Sequence, residues 1–123
     1  MPSESGGPAP VLDFSELLLR VDNDREIVGA LLEITKKEIP RQLQALRHAA
    51  NIENVAAVEN AGHTLKGMFA NISALPASSS AALVEQLARK RQPQLLADAI
   101  ADLEAECIRL IPALDATLTE TQK

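Results

Sequence analysis

"VAAVENAGHTLKGMFANI", residues 55–72, decides the fold, because wound as a helix it gathers its apolar residues on one side. At about 100° per residue, Val55, Val58, Ala61, Gly62, Leu65, Met68, Phe69 and Ile72 fall within an arc of roughly 140°. That arc is the expected core face. His63 stands about 160° from Leu65 and therefore points to solvent. Gly67 lies one turn ahead of it on this outer face, Ala70 two turns ahead and Ala56 two turns behind. Small side chains around an imidazole let another protein surface come close. A glycine inside a helix costs about 1 kcal/mol relative to alanine, and Gly67 has no expected packing role to offset that. The space it leaves is expected to serve something outside the chain. Lys66, at i+3, can bring its ammonium to a group carried on the ring, and Glu59, at i−4, is expected to hydrogen-bond an imidazole nitrogen.

The flanking sequence supplies partners for this helix. "MPSESGGPAP" offers nothing to bury and reads as a flexible tail or linker over residues 1–10. A short helix is predicted from near Asp13, with Phe14, Leu17, Leu18 and Val21 on one side. "DND" at residues 22–24 offers an N-cap for a second helix carrying Ile27, Leu31, Ile34, Ile39, Leu43 and Leu46 inward. Pro40 within that pattern predicts a kink or two helices stacked end to end. Asn51 is the expected cap of the third helix, which runs to about Ala74. "LPASSSAALVEQLARKR" predicts a fourth helix with a proline in its first turn. "QPQLLADAIADLEAECIRLIPALDATL" predicts a fifth, with Leu96, Ile100, Leu103, Cys107, Leu110 and Leu114 as one buried stripe. Short connections between long helices imply an all-α, antiparallel up-and-down four-helix bundle over residues 11–118. The short first helix caps one end, and residues 119–123 form a tail.

Composition narrows the function. Two Phe, no Tyr and no Trp disfavour a β-sandwich, while 46% apolar residues suffices for a core in a single domain of this length. A net charge of −5 argues against a nucleic-acid partner, which would require a basic face. The single Cys107 excludes an internal disulfide and a cysteine zinc site, and its place on the core stripe makes it a small buried hydrophobe. No apolar run reaches the 18 or so residues that span a bilayer, and no signal-peptide pattern opens the chain. A monomeric, cytoplasmic domain without a membrane contact is expected.

His63, Lys66 and their small neighbours suit a nucleophilic histidine. Neutral imidazole is available near pH 7, and a phosphoryl group in transit needs nearby positive charge and tight positioning. Nothing in the sequence resembles a nucleotide-binding loop, so the phosphoryl donor is expected to be another protein. "HTLKG" followed by "FANISA" resembles the signature of histidine-containing phosphotransfer (HPt) domains, His-x-x-Lys-Gly followed by small residues. The order of a cap helix, a long second helix with a proline and two helices after the motif is similar to that family's layout over about residues 11–118. Three positions depart from the pattern: Met68 and Phe69 stand where small residues are frequent, and Ser73 where glycine is common.

The resemblance implies a carrier that relays phosphoryl groups between receiver-domain aspartates in a multistep phosphorelay, without kinase activity of its own. It implies that His63 is phosphorylated, that Lys66 assists electrostatically and that Gly67 gives the partner room, with Ala70, Ala56 and Glu59 on the same partner-facing surface. The implied partners are receiver domains of response regulators or a hybrid histidine kinase. No cofactor is expected in the chain itself, and Mg2+ is expected in the receiver. A dimerising histidine-kinase segment fits less well, since Thr64 follows the histidine where an acidic residue is normal there. A plain interaction bundle leaves the His63 cluster unexplained. Metal-site bundles show Glu-x-x-His pairs, absent here, and no catalytic triad partner is present. His48, near the end of the second helix, is expected to be a surface residue favouring the helix dipole.

Overall fold

The computed structural model describes residues 10–122, so the expected tail over 1–10 lies almost wholly outside the described residues. Helices α1 (Phe14–Arg20), α2 (Arg25–Asn51), α3 (Val55–Asn71), α4 (Leu75–Arg89) and α5 (Pro93–Thr121) follow one another, and no strand occurs among the described residues. Helices α2 to α5 each pack on the next in sequence, and α5 closes the bundle against α2, while α1 rests on α2.

Local chemistry starts each helix. The Asp13 carboxylate accepts from the Glu16 N–H at 3.0 Å, and Asp24 accepts from Glu26 and Ile27. Both satisfy donors that the first helical turn leaves unpaired. Asn54, and not Asn51, caps α3, accepting from the Ala57 N–H at 3.1 Å. Asn51 is still the last residue of α2, and Glu53, at φ 56°, reverses the chain so that Asn54 reaches the new helix. Prolines open α4 and α5, where a missing N–H costs nothing.

The core is lined by Leu32, Ile39, Leu46, Leu65, Phe69, Ile72, Ile100, Leu103, Leu110 and Leu114, all at most 2% exposed. Met68 packs against it, so the two bulky departures at Met68 and Phe69 are core residues. Cys107 lies on the predicted stripe, and burial pushes its thiol up to about 12. In α2, Ile39 and Leu46 are in the core as expected, but Ile27 and Ile34 are 46% and 62% exposed, and Val28, Leu32 and Thr35 face inward in that half of the helix. Both rows are apolar or neutral, and the rotation is set by neighbours. Lys36 pairs with Asp115 at 2.6 Å and Arg47 with Glu104, which places those residues along the α5 side of α2. Pro40 lies within a single unbroken α2, and α5 continues through Thr121 past residue 118.

Helix α3 stops at Asn71, earlier than Ala74, because Ser73 adopts φ 60°. Ser73 is fully buried. Its hydroxyl donates to Glu16 at 2.7 Å and accepts from Arg20, and its carbonyl accepts from the Asp13 N–H. The residue standing where glycine is common thus ties α1 to the corner between α3 and α4.

Candidate functional site

Gly62 sets the spacing between α3 and α4. A Cβ at that position would stand 3.0 Å from the Glu85 nitrogen and 3.2 Å from the Ala81 carbonyl oxygen, both backbone atoms of α4. This close approach brings Glu85 to His63. Glu85 belongs to a row of otherwise small apolar residues, Ala77, Ala81, Val84 and Ala88, and is itself 7% exposed. A buried carboxylate needs donors, and three are supplied. Its Oε1 accepts from Lys66 Nζ at 2.8 Å, while its Oε2 lies 3.0 Å from His63 Nδ1 and accepts from Arg89 Nη2 at 3.2 Å. Arg89 also donates through Nε to Glu59 at 2.9 Å.

The hydrogen bond from Lys66 holds the Glu85 carboxyl below the usual carboxylate range; His63 adds to this and burial opposes it. An ionised carboxylate only accepts, so in the neutral ring Nδ1 carries the proton and Nε2 carries the lone pair. The His63 side chain is 65% exposed. Its ring, with Ala56, Glu59, Asn60 and Glu85, lines a shallow hollow of about 370 Å³. One turn ahead, a Cβ added to Gly67 would meet nothing within 4 Å. Ala70 is half-buried, and its carbonyl accepts from Arg20 at 2.6 Å.

The structure therefore brings His63, Lys66, Ala56 and Glu59 together and leaves open space at Gly67. It corrects the contact expected of Glu59. That carboxylate is occupied by Arg89, and the ring nitrogen is held by Glu85 from the neighbouring helix. Glu85 and Arg89 are absent from the sequence reading. A signal for Glu85 existed, namely one acid within the apolar row of α4. His48 is exposed in the last turn of α2, away from this cluster.

The family model for the Hpt domain matches residues 30–120, which span α3, α4, most of α2 and nearly all of α5. The chain belongs to the Hpt domain family. Its function is histidine phosphotransfer in two-component phosphorelays, and Hpt domains work there with histidine kinases and receiver domains. No curated protein matches the chain significantly. Among solved structures, it is similar to histidine-containing phosphotransfer protein B from Pseudomonas aeruginosa PAO1, with a TM-score of 0.84 at 20% identity over 92% of this chain and 98% of that one. It is also similar to the HPT domain of a sensor hybrid histidine kinase from Shewanella, with a TM-score of 0.79 at 14% identity over 89% and 95% of the two chains. At such identities these neighbours attest the Hpt fold, a helical bundle.

Proposed function

We propose that His63 carries the phosphoryl group, with Nε2 as the attacking nitrogen. The observation that carries this reading is the Nδ1–Glu85 contact beneath an exposed ring. It fixes the tautomer, and its carboxylate stabilises the positive charge that grows on the ring as the N–P bond forms. In the forward step, the Nε2 lone pair attacks the phosphorus of an aspartyl phosphate on a receiver. The bond from phosphorus to the aspartate oxygen breaks, and that carboxylate leaves. Lys66 offers three N–H donors, and its bond to Glu85 leaves others for a phosphoryl oxygen. Mg2+ belongs to the receiver's side of the reaction.

Ala56, Gly67, Ala70 and Glu59 form the surface on which the receiver sits. The chain acts as a carrier and not a kinase, in keeping with its family. It works as a cytoplasmic monomer without membrane or nucleic-acid partners; the net charge of −5 supports the last of these. No helix among the described residues is long and apolar enough to cross a membrane.

Incubation with a phosphorylated receiver tests the assignment. Label should move to this chain, resist base, be lost in acid and vanish with His63→Gln. Label acquired from ATP alone would point to the kinase reading, and label surviving His63→Gln would move the site elsewhere.

A further inference from the structure

A second concavity lies at the end of the bundle where α2 meets α3 and α4 meets α5. It has a volume of about 550 Å³ and an apolar floor that includes Val55, Val58, Ala88, Leu96 and Ile100. Arg91 stands on its rim in the turn between α4 and α5, at φ 55°. Left-handed backbone is unfavourable for an arginine by about 1 kcal/mol or more. Neither Arg91 nor the adjacent, exposed Lys90 makes a side-chain hydrogen bond or ion pair among the described residues. The other charged groups of the rim are Arg47, which Glu104 occupies, and Glu53.

This cavity and the His63 hollow are neighbours. Val55 and Val58 line the cavity, while Ala56 and Glu59, each the next residue of α3, line the hollow. On α4 the same step separates Ala88, in the cavity floor, from Arg89, which pairs with Glu59. The Glu59–Arg89 ion pair thus forms the ridge between the two depressions. A protein seated on His63 need cross only that ridge to reach the cavity.

We propose that this cavity is a second docking point for the receiver partner. It takes an apolar side chain of the receiver, and a carboxylate beside that side chain pairs with Arg91 and Lys90. The occupant follows from Arg91 on the rim, unpaired among the described residues, with Lys90 adjacent to it in the chain, from the apolar floor and from the continuity with the His63 hollow, and the proposal rests on His63 being the phosphoryl site. Its consequence is partner choice. The hollow presents chemistry that any receiver aspartate can meet, whereas the cavity demands one particular shape and charge beside it.

The test uses Ala97→Trp, which fills the cavity from α5, and Arg91→Glu, which reverses the rim charge. Ala97 lines the cavity and is exposed, and neither residue belongs to the His63 cluster. The donor is the phosphorylated receiver domain that serves the unaltered chain fastest. For each variant, confirmed as helical by circular dichroism, KM for this donor should rise about tenfold. Labelling of His63 by phosphoramidate should stay within twofold. An unchanged KM in both folded variants overturns the proposal. Label from the receiver that survives His63→Gln would instead sink the His63 assignment. Amide NMR shifts on adding the receiver give a second reading. Movement at Arg91 and Ala97 supports docking there, whereas movement confined to the His63 hollow refutes it. Response of the cavity to octanoate but not to the receiver would assign it to a small amphiphile and also refute docking.

Discussion

Gly62 and Gly67 occupy one helix, and the same residue type answers opposite demands. At Gly62 a side chain would strike the backbone of α4; at Gly67 it would meet nothing within 4 Å. Each costs α3 about 1 kcal/mol in helix propensity relative to alanine. Gly62 recovers this inside the molecule, because the close helix contact it allows delivers Glu85 to His63. Gly67 recovers nothing from the chain's own packing. One glycine is thus required by the packing of α3 on α4, whereas the other is costly without internal reward, which is the observation behind the proposal that a partner sits on the outer face.

The sharpest break between the faces is expected at His63. His63→Gln should abolish phosphorylation altogether while leaving stability within about 0.5 kcal/mol, as for most exposed substitutions. Urea titration followed by circular dichroism checks the second half. Gly62→Val should do the reverse kind of damage. Forcing a branched side chain against α4 backbone should cost about 2–3 kcal/mol, in the range of core overpacking. Phosphotransfer should fall with it as Glu85 moves away from the ring. A Gly62→Val protein as stable as the parent would erase the distinction drawn between the two glycines.

Gly67→Gln should preserve or raise stability by roughly 0.5–1 kcal/mol through better helix propensity. It should slow transfer from a protein receiver at least tenfold, yet barely affect labelling by phosphoramidate, which needs little room. An unfolded Gly67→Gln variant would mean that the outer face is packed after all. Lys66→Ala should slow transfer several-fold through lost charge support. It should cost only about 0.5–1 kcal/mol, because Glu85 keeps its contacts with His63 and Arg89, and solvent screens a lysine that is 38% exposed.

The smallest effect concerns pH. Glu85 has its folded-state pKa depressed, first by the Lys66 hydrogen bond, so its ionised form contributes stability above the ordinary carboxylate range. That contribution is lost as pH falls through the lowered folded value. Glu85→Gln should therefore lower stability on the neutral side of the profile, where the ionised form contributes, and flatten its fall below about pH 4.3. Urea midpoints measured across pH 3–6, a window of about this range, give the comparison.

Helical periodicity made α3 and α5 legible, since each carries a continuous row of buried apolar residues at helical spacing, even though Leu95, Ile108 and Ile111 of α5 lie exposed. It fell short for α2, where Ile27 and Ile34 lie beside Val28, Leu32 and Thr35 on adjacent rows. Such a wide apolar arc does not say which row faces inward. The outward direction of His63 and the openness at Gly67 were readable because they depend on one helix alone. The hold on the ring was not, because Glu85 is 22 residues away on another helix. Glu59, the local candidate, stood one turn from the histidine but had a stronger suitor in Arg89.

Cys107 has a practical consequence. With neither Trp nor Tyr in the chain, the protein is nearly silent to fluorescence and to absorbance at the usual near-ultraviolet wavelength. Its one thiol is 1% exposed and has its pKa pushed up to about 12, so a thiol reagent reaches it only when the helices around it part. The rate at which that reagent consumes Cys107 is therefore a clock for opening of the bundle. It is already installed at the centre and requires no substitution to read.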